Sequence, residues 1–130
     1  MRDKNIEKIL KSLRTGFYTV IILGLLKKHG PLYGYKIKSL IKQLSNNTLN
    51  PSESTIYETL KNMDKNKLIK SYWTESNLGP PRKYYEITDK GLKTLETLRV
   101  ELEKIIETIN CFNNNFILYG FKRSWARTKL

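Results

Sequence analysis

Cations dominate the groups in this sequence that could do chemistry. Twenty-four Lys and Arg stand against 12 Asp and Glu, giving a formal charge of +12 and a pI near 9.8. An excess of this size selects a polyanionic partner, nucleic acid first and an anionic membrane surface second, with a merely soluble basic protein as the bland reading. Arg82 and Lys83 directly follow Gly79-Pro80-Pro81. A stiff turn of that kind would press both cations against a phosphate backbone or slip an arginine into a narrow minor groove. The same prolines keep a strand edge from pairing with another chain, and the two roles are compatible. Upstream, at ~100° per residue, Ile56, Leu60 and Met63 share one arc of a helix. Ser54, Glu58, Lys61 and Lys65 occupy the opposite face, with Tyr57 and Asn62 on its flanks. In a major groove that face would offer hydroxyl, ammonium, amide and phenol groups to bases and phosphates; otherwise it is an ordinary solvated surface. Tyr72, Trp73, Tyr84 and Tyr85 alternate on two β segments, a pattern that favours cross-strand packing over stacking on single-stranded bases. Trp73 or Tyr85 on the outer face is left to line a groove.

Catalysis finds no support. His29 stands alone in a Gly-Pro turn, where it complements a helix C-terminus, and Cys111 is the one cysteine. Neither has the converging partners that a metal ion or an activated nucleophile needs, so the expectation is no enzyme, no metal and no cofactor. A single cysteine also excludes an internal disulfide framework and fits a reducing compartment. The longest apolar run, residues 17–26, is about half of the ~20 residues that span a bilayer, so it reads as a buried helix. Residues 1–10 are charged and lack a signal-peptide core; a cytoplasmic protein without a membrane partner is expected.

These groups need elements to position them. Asp3, Ile6, Ile9, Leu10 and Leu13 have helical spacing, predicting a short amphipathic helix over residues 3–13. Thr15 then caps a second helix running to about Lys28, before the breakers His29-Gly30-Pro31. Residues 33–44 form a third, with Ile37, Leu40, Ile41 and Leu44 on one stripe and Lys36, Lys38 and Lys42 on the other. After a polar loop at 45–49, Asn50-Pro51-Ser52-Glu53 has the parts of a helix start: Asn50 as cap, Pro51 in the first turn and Glu53 closing a capping box. Ser52 or Ser54 are the alternative caps, and the helix runs to about Asn66. Residues 68–74 and 83–88 then read as strands of a β-hairpin. From Asp89 a long helix resumes, in which Leu95, Leu98, Leu102, Ile105, Ile109, Phe112, Phe116 and Tyr119 are spaced 3, 4, 3, 4, 3, 4, 3, a coiled-coil seam that asks for a partner. Asn113-Asn114-Asn115 would stop or kink it, and residues 122–130 are a basic tail with no acid. The predicted fold is mainly α with a small β-hairpin (α+β). A winged helix-turn-helix with an N-terminal helix covers residues 1–88, a dimerisation helix 89–120 and the basic tail 121–130.

Four motifs arrive in a specific order: Gly30-Pro31-Leu32-Tyr33-Gly34-Tyr35, Ser54-Thr55-Ile56-Tyr57, Gly79-Pro80-Pro81-Arg82-Lys83-Tyr84-Tyr85, and Ile87-Thr88-Asp89-Lys90-Gly91. Over roughly residues 16–95 the chain resembles the PadR family of transcriptional regulators. The resemblance implies a homodimer whose winged helix-turn-helix binds an inverted-repeat operator on double-stranded DNA, usually as a repressor, and a C-terminal helix that makes the dimer. It assigns Ser54, Thr55, Tyr57 and Lys61 to the recognition helix, Arg82 and Lys83 to the wing, and Tyr35 to the aromatic of the preceding helix, with its hydroxyl toward the DNA backbone. Lys36, Lys38 and Lys65 complete the expected phosphate set, and Leu95, Leu98, Leu102, Ile105, Ile109, Phe112 and Phe116 the dimer seam. Three features depart from the family. Pro51-Ser52-Glu53-Ser54 lengthens the turn before the recognition helix, no tryptophan sits centrally in the last helix to sandwich a flat ligand, and the basic tail has no family counterpart. Two other readings fit the residues: a winged-helix protein-interaction module, and a chromatin-type DNA binder indifferent to sequence.

Overall fold

The structure, a computed structural model, describes residues 3–113. Phe116, Tyr119, the Asn114-Asn115 break and the basic tail lie outside the described residues.

The first helix, α1, runs unbroken over Lys4–His29. Asp3 caps it, its carboxylate accepting from the Ile6 N–H at 2.9 Å. This corrects the expectation of two helices divided at Thr15. The Thr15 hydroxyl donates back to the Lys11 carbonyl at 2.8 Å instead of capping a new start, and Gly16 is carried inside the helix. What holds the element together is burial on its second half, where Tyr18, Ile22, Leu23, Leu25 and Leu26 enter the core. By length and composition α1 could cross a membrane, but those side chains are committed to the protein interior. Gly30 ends the helix at φ +79°, a conformation that favours glycine.

A two-residue strand, β1 (Leu32–Tyr33), follows and leads directly into α2 (Gly34–Leu44), which buries Ile37 and Ile41. Helix α3 (Glu53–Lys65) buries Ile56, Thr59, Leu60 and Met63. It closes with a Schellman turn: the Leu68 N–H donates to the Met63 carbonyl (3.0 Å) and the Lys67 N–H to that of Asp64 (2.9 Å), with Lys67 at φ +62°. Strands β2 (Ile69–Thr74) and β3 (Arg82–Ile87) form the hairpin. The sheet order is β1-β3-β2, all antiparallel, with Tyr33 opposite Tyr84 and Tyr72 also opposite Tyr84. Strand β1 is absent from the sequence reading. The other elements fall within a few residues of their expected bounds.

Ile22, Leu23, Leu26, Ile37, Ile41, Ile56, Leu60, Met63 and Ile69 are almost fully buried and form the core. At about 1.5–3 kcal/mol for each such side chain, this core fixes α3 and the hairpin against α1. The last helix, α4 (Asp89–Asn113), begins on a latch. The Thr88 hydroxyl accepts from the Gly91 N–H (3.0 Å), donates to the Lys67 carbonyl (2.7 Å) and lies 3.0 Å from the Leu68 carbonyl. Lys90 Nζ donates to the Asn66 carbonyl at 2.9 Å. The winged-helix elements and the start of α4, to Leu95, belong to one compact unit, and α4 from Glu96 onward to a second. In that second unit Arg99 bridges Glu96 and Glu103, each at 2.6 Å along the helix.

Candidate nucleic-acid interface

Helix α3 is set by its cap. Ser52 is the N-cap, its hydroxyl accepting from the Thr55 N–H at 3.1 Å; this corrects the expected Asn50 cap, because Pro51 lies before the helix and Glu53 is its first residue, too early to close a capping box. Ser52 also donates to the Thr55 hydroxyl (2.9 Å) and lies 3.1 Å from that of Ser54. Thr55 is half-buried in this cluster, and Ser54 is exposed beside it. The buried stripe then leaves Tyr57, Glu58, Lys61, Asn62 and Lys65 exposed, as the helical period requires. Lys61 and Lys65 share a shallow depression with Glu58, Asn62 and Asp64, so the C-terminal half of the reading face carries both signs.

Tyr57 is half-exposed because its ring lies across the start of α2. A Cβ placed on Gly34 would come within 2.9 Å of the Tyr57 ring and hydroxyl. Gly34 thus creates the seat that aims the Tyr57 phenol. Tyr35 and Lys38 line the same small cleft between α2 and α3. Tyr35 and Lys36 are exposed, and Lys38 is half-buried. The structure therefore gathers Tyr35, Lys38 and Tyr57 into one place.

The wing separates its two cations. Residues alternate across a strand, and Arg82 falls on one face of β3 while Lys83 falls on the other. The Arg82 guanidinium sits 4.5 Å from the centroid of the Tyr33 ring. Tyr33 meets Tyr84 edge-on at 5.5 Å, and Tyr84 stacks on Tyr72 at 6.1 Å. An aromatic row thus backs Arg82, and the Lys70–Glu86 ion pair, at 3.0 Å, continues that face; the hydrogen bond to Glu86 raises the Lys70 pKa. Lys83 lies about as far from Trp73 (5.9 Å) as from Tyr85 (5.8 Å). Tyr85 is 5% exposed and belongs to the core; Trp73 is 66% exposed. Burial raises the Tyr85 pKa above the ordinary phenol value. Of the two aromatics left open by the sequence, Trp73 alone is available to a partner.

On α4, Leu95, Leu98 and Leu102 are half-buried, while Ile105 (48%), Ile109 (46%) and Phe112 (83%) are substantially exposed. A second exposed apolar stripe, Ile6, Ile9 and Leu13, lies on α1, on the face that the sequence reads as the apolar side of an amphipathic helix. Its helical spacing was visible, but the spacing alone does not say whether the core covers it. His29 and Cys111 are both exposed, and among the described residues no group of three or more His, Cys, Asp or Glu could hold a metal ion.

An uncharacterized protein of Lysinibacillus sphaericus is 34% identical to the chain over 80 residues, covering 62% of this chain and 73% of that protein. A solved transcriptional regulator from Clostridium thermocellum is 33% identical, with a TM-score of 0.73 over 78% of this chain and 98% of that one. The structure of Bacillus subtilis PadR in complex with operator DNA is 30% identical, with a TM-score of 0.57 over 63% of this chain and 46% of that one. Residues 22–97, more than half the length, match the transcriptional regulator PadR-like family, and the chain belongs to that family.

Proposed function

We propose that the protein binds double-stranded DNA sequence-specifically as a homodimer, at an inverted-repeat operator, and represses transcription. The observation that carries this reading is the likeness to the operator-bound Bacillus subtilis PadR, joined to the exposed polar face of α3 beside a cationic wing. In this reading Ser54 and Tyr57 face base edges from the major groove, and Thr55 steadies the cap beside the phosphates. Lys36, Lys38, Lys61, Lys65, Arg82 and Lys83 contact phosphate, and Tyr35 reaches the backbone with its hydroxyl. Two protomers join along Leu95, Leu98, Leu102, Ile105, Ile109 and Phe112, setting two α3 helices about one turn of DNA apart, ~34 Å. The exposure of Ile105, Ile109 and Phe112 in a single chain supports a partner copy, which would also give Ile6, Ile9 and Leu13 a place to be buried. A cytoplasmic location follows from such a role.

Selection of bound duplexes from a random pool, followed by titration of the selected site and of random duplex at two salt concentrations, tests the reading. Binding to both should weaken as salt rises, because phosphate contacts release counterions. A regulator retains a preference of at least ~10³ for its own site. Equal affinity for the two duplexes would leave a non-specific binder, and no affinity for either would leave a protein-interaction module.

A further inference from the structure

We propose that the basic face of α1 is a second DNA contact, which holds phosphates flanking the site read by α3. The proposal rests on the DNA-binding reading above and extends it to residues outside the winged-helix motif. At about 100° per residue, Lys4, Lys8, Lys11 and Arg14 fall within an arc of about 120° on α1. All four line one open cleft, whose other wall is the start of α3 with Ser52 and Thr55. Glu7 lines the cleft as well, one acid among four cations. Tyr18 also lines it beside Arg14; burial raises the Tyr18 pKa, and the positive charge of Arg14 opposes that rise.

The position of this stripe gives it a partner. It abuts the N-terminal end of α3, the end that a recognition helix presents to base edges at the groove. A duplex seated on α3 must continue past that end, and the next surface it meets is the cation row. From Lys4 to Arg14 the row is about 15 Å long, enough to follow two or more phosphates of one strand, roughly. Ile6, Ile9 and Leu13 occupy the other side of these turns, so the apolar and basic faces of α1 serve different surfaces. Lysines at this spacing, with the α3 cap as the opposite wall, fit a backbone contact better than base readout, since ammonium groups on flexible stems neutralise charge without reading sequence.

The test compares the wild-type protein with a Lys4→Gln, Lys8→Gln, Lys11→Gln variant and with the corresponding Lys→Arg variant. Each is titrated over a range of salt against the selected site trimmed to the bases read, and against the same site extended by about one turn on each side. The wild-type protein should gain affinity and a steeper salt dependence from the flanks. The Gln variant should lose that gain, its slope on the extended duplex falling by at least about 1.8, which is one phosphate left unneutralised by each of two protomers at about 0.9 apiece. The Arg variant should restore it, and all three should keep their preference for the selected site and melt at the same temperature. A Gln variant that matches the wild type on both duplexes overturns the proposal and leaves specific binding intact. Loss of the site preference, or of folding, in the Gln variant with the Arg variant normal also overturns it, because the lysines would then be supporting α3. If the wild-type protein binds no duplex, the DNA-binding reading falls and takes this one with it.

Discussion

Gly91→Ala should unfold the winged-helix unit more readily than any other glycine replacement in it. A Cβ at position 91 would stand 2.1 Å from the Leu68 carbonyl oxygen, 2.7 Å from Ile87 Cγ1 and 3.1 Å from the Leu68 carbonyl carbon. The first of these is backbone at the end of the Schellman turn and cannot rotate away. The start of α4 must retreat by more than about 1 Å to reach ordinary contact, and that retreat stretches the Thr88 latch. Overpacking against a fixed neighbour costs about 1–3 kcal/mol, and two weakened hydrogen bonds add about 1 kcal/mol each. The sum, about 3–5 kcal/mol, is a large part of the 5–15 kcal/mol typical of a whole domain. For a unit of this size each kcal/mol moves the midpoint by about 4–8 °C, so Tm should fall by at least about 12 °C. Thermal unfolding followed by circular dichroism, at matched protomer concentration because association stabilises the fold, measures this directly. Gly16→Ala is the control. Nothing lies within 4 Å of its Cβ position inside α1, and alanine there should stabilise the helix by up to about 1 kcal/mol. A Gly91→Ala protein melting within about 4 °C of the wild type would refute the packing argument.

The proposed interface makes further demands. Tyr57→Phe keeps the ring on Gly34 and so should leave Tm unchanged, while discrimination at one base pair falls by about 1–3 kcal/mol; an unchanged preference in the selected pool would remove the phenol from readout. Arg82→Ala should lower the slope of log K against log salt by about 0.9 for each phosphate that the wing no longer neutralises, and affinity that stays at the wild-type value at every salt would take Arg82 out of the interface. Ile109→Asp with Phe112→Asp should weaken self-association by at least about 100-fold, since each side chain is worth about 1.5–3 kcal/mol when buried. Sedimentation velocity reads that change, and a variant still dimeric at micromolar concentration would exclude α4 as the dimer helix.

Periodicity told most where burial is one-sided. The stripe Ile56, Leu60, Met63 is buried as its spacing indicates, and the exposed polar groups of α3 follow from it. Capping was narrowed to three residues, and Ser52 is the one whose hydroxyl reaches the Thr55 N–H. Thr15 misled because threonine favours a helix start locally, whereas the tertiary burial of Tyr18 and Ile22 keeps the chain helical through it. Strand β1 could not be read at all. Two residues show no period, and Leu32 and Tyr33 are extended only because Tyr85 and Tyr84, far along the chain, offer a free edge. The motif Thr88-Asp89-Lys90-Gly91 was plain as a family signature, but its spacing did not say what it does. In the structure Thr88 and Lys90 anchor the start of α4 to the turn after α3, while the Gly91 N–H donates to the Thr88 hydroxyl and a backbone oxygen requires glycine there.

The wing shows how strand pleating refines a motif reading. Arg82 and Lys83 are adjacent in sequence and look like a paired clamp, but the pleat sends them to opposite faces of the hairpin. Arg82 is held over Tyr33 by an aromatic row that runs through Tyr84 to Tyr72. A guanidinium stacked in this way loses little further freedom when it meets phosphate, so its contact should be the stronger of the two for the same charge. Lys83 stands on the face of the core residues Ile69 and Tyr85, near exposed Trp73 at the outer end of β2. The two cations therefore leave the hairpin on opposite faces. In the proposed complex they would meet different phosphates. Replacing both should then give additive losses in binding energy, as expected for sites without a shared partner, whereas a common phosphate would make the second loss smaller than the first.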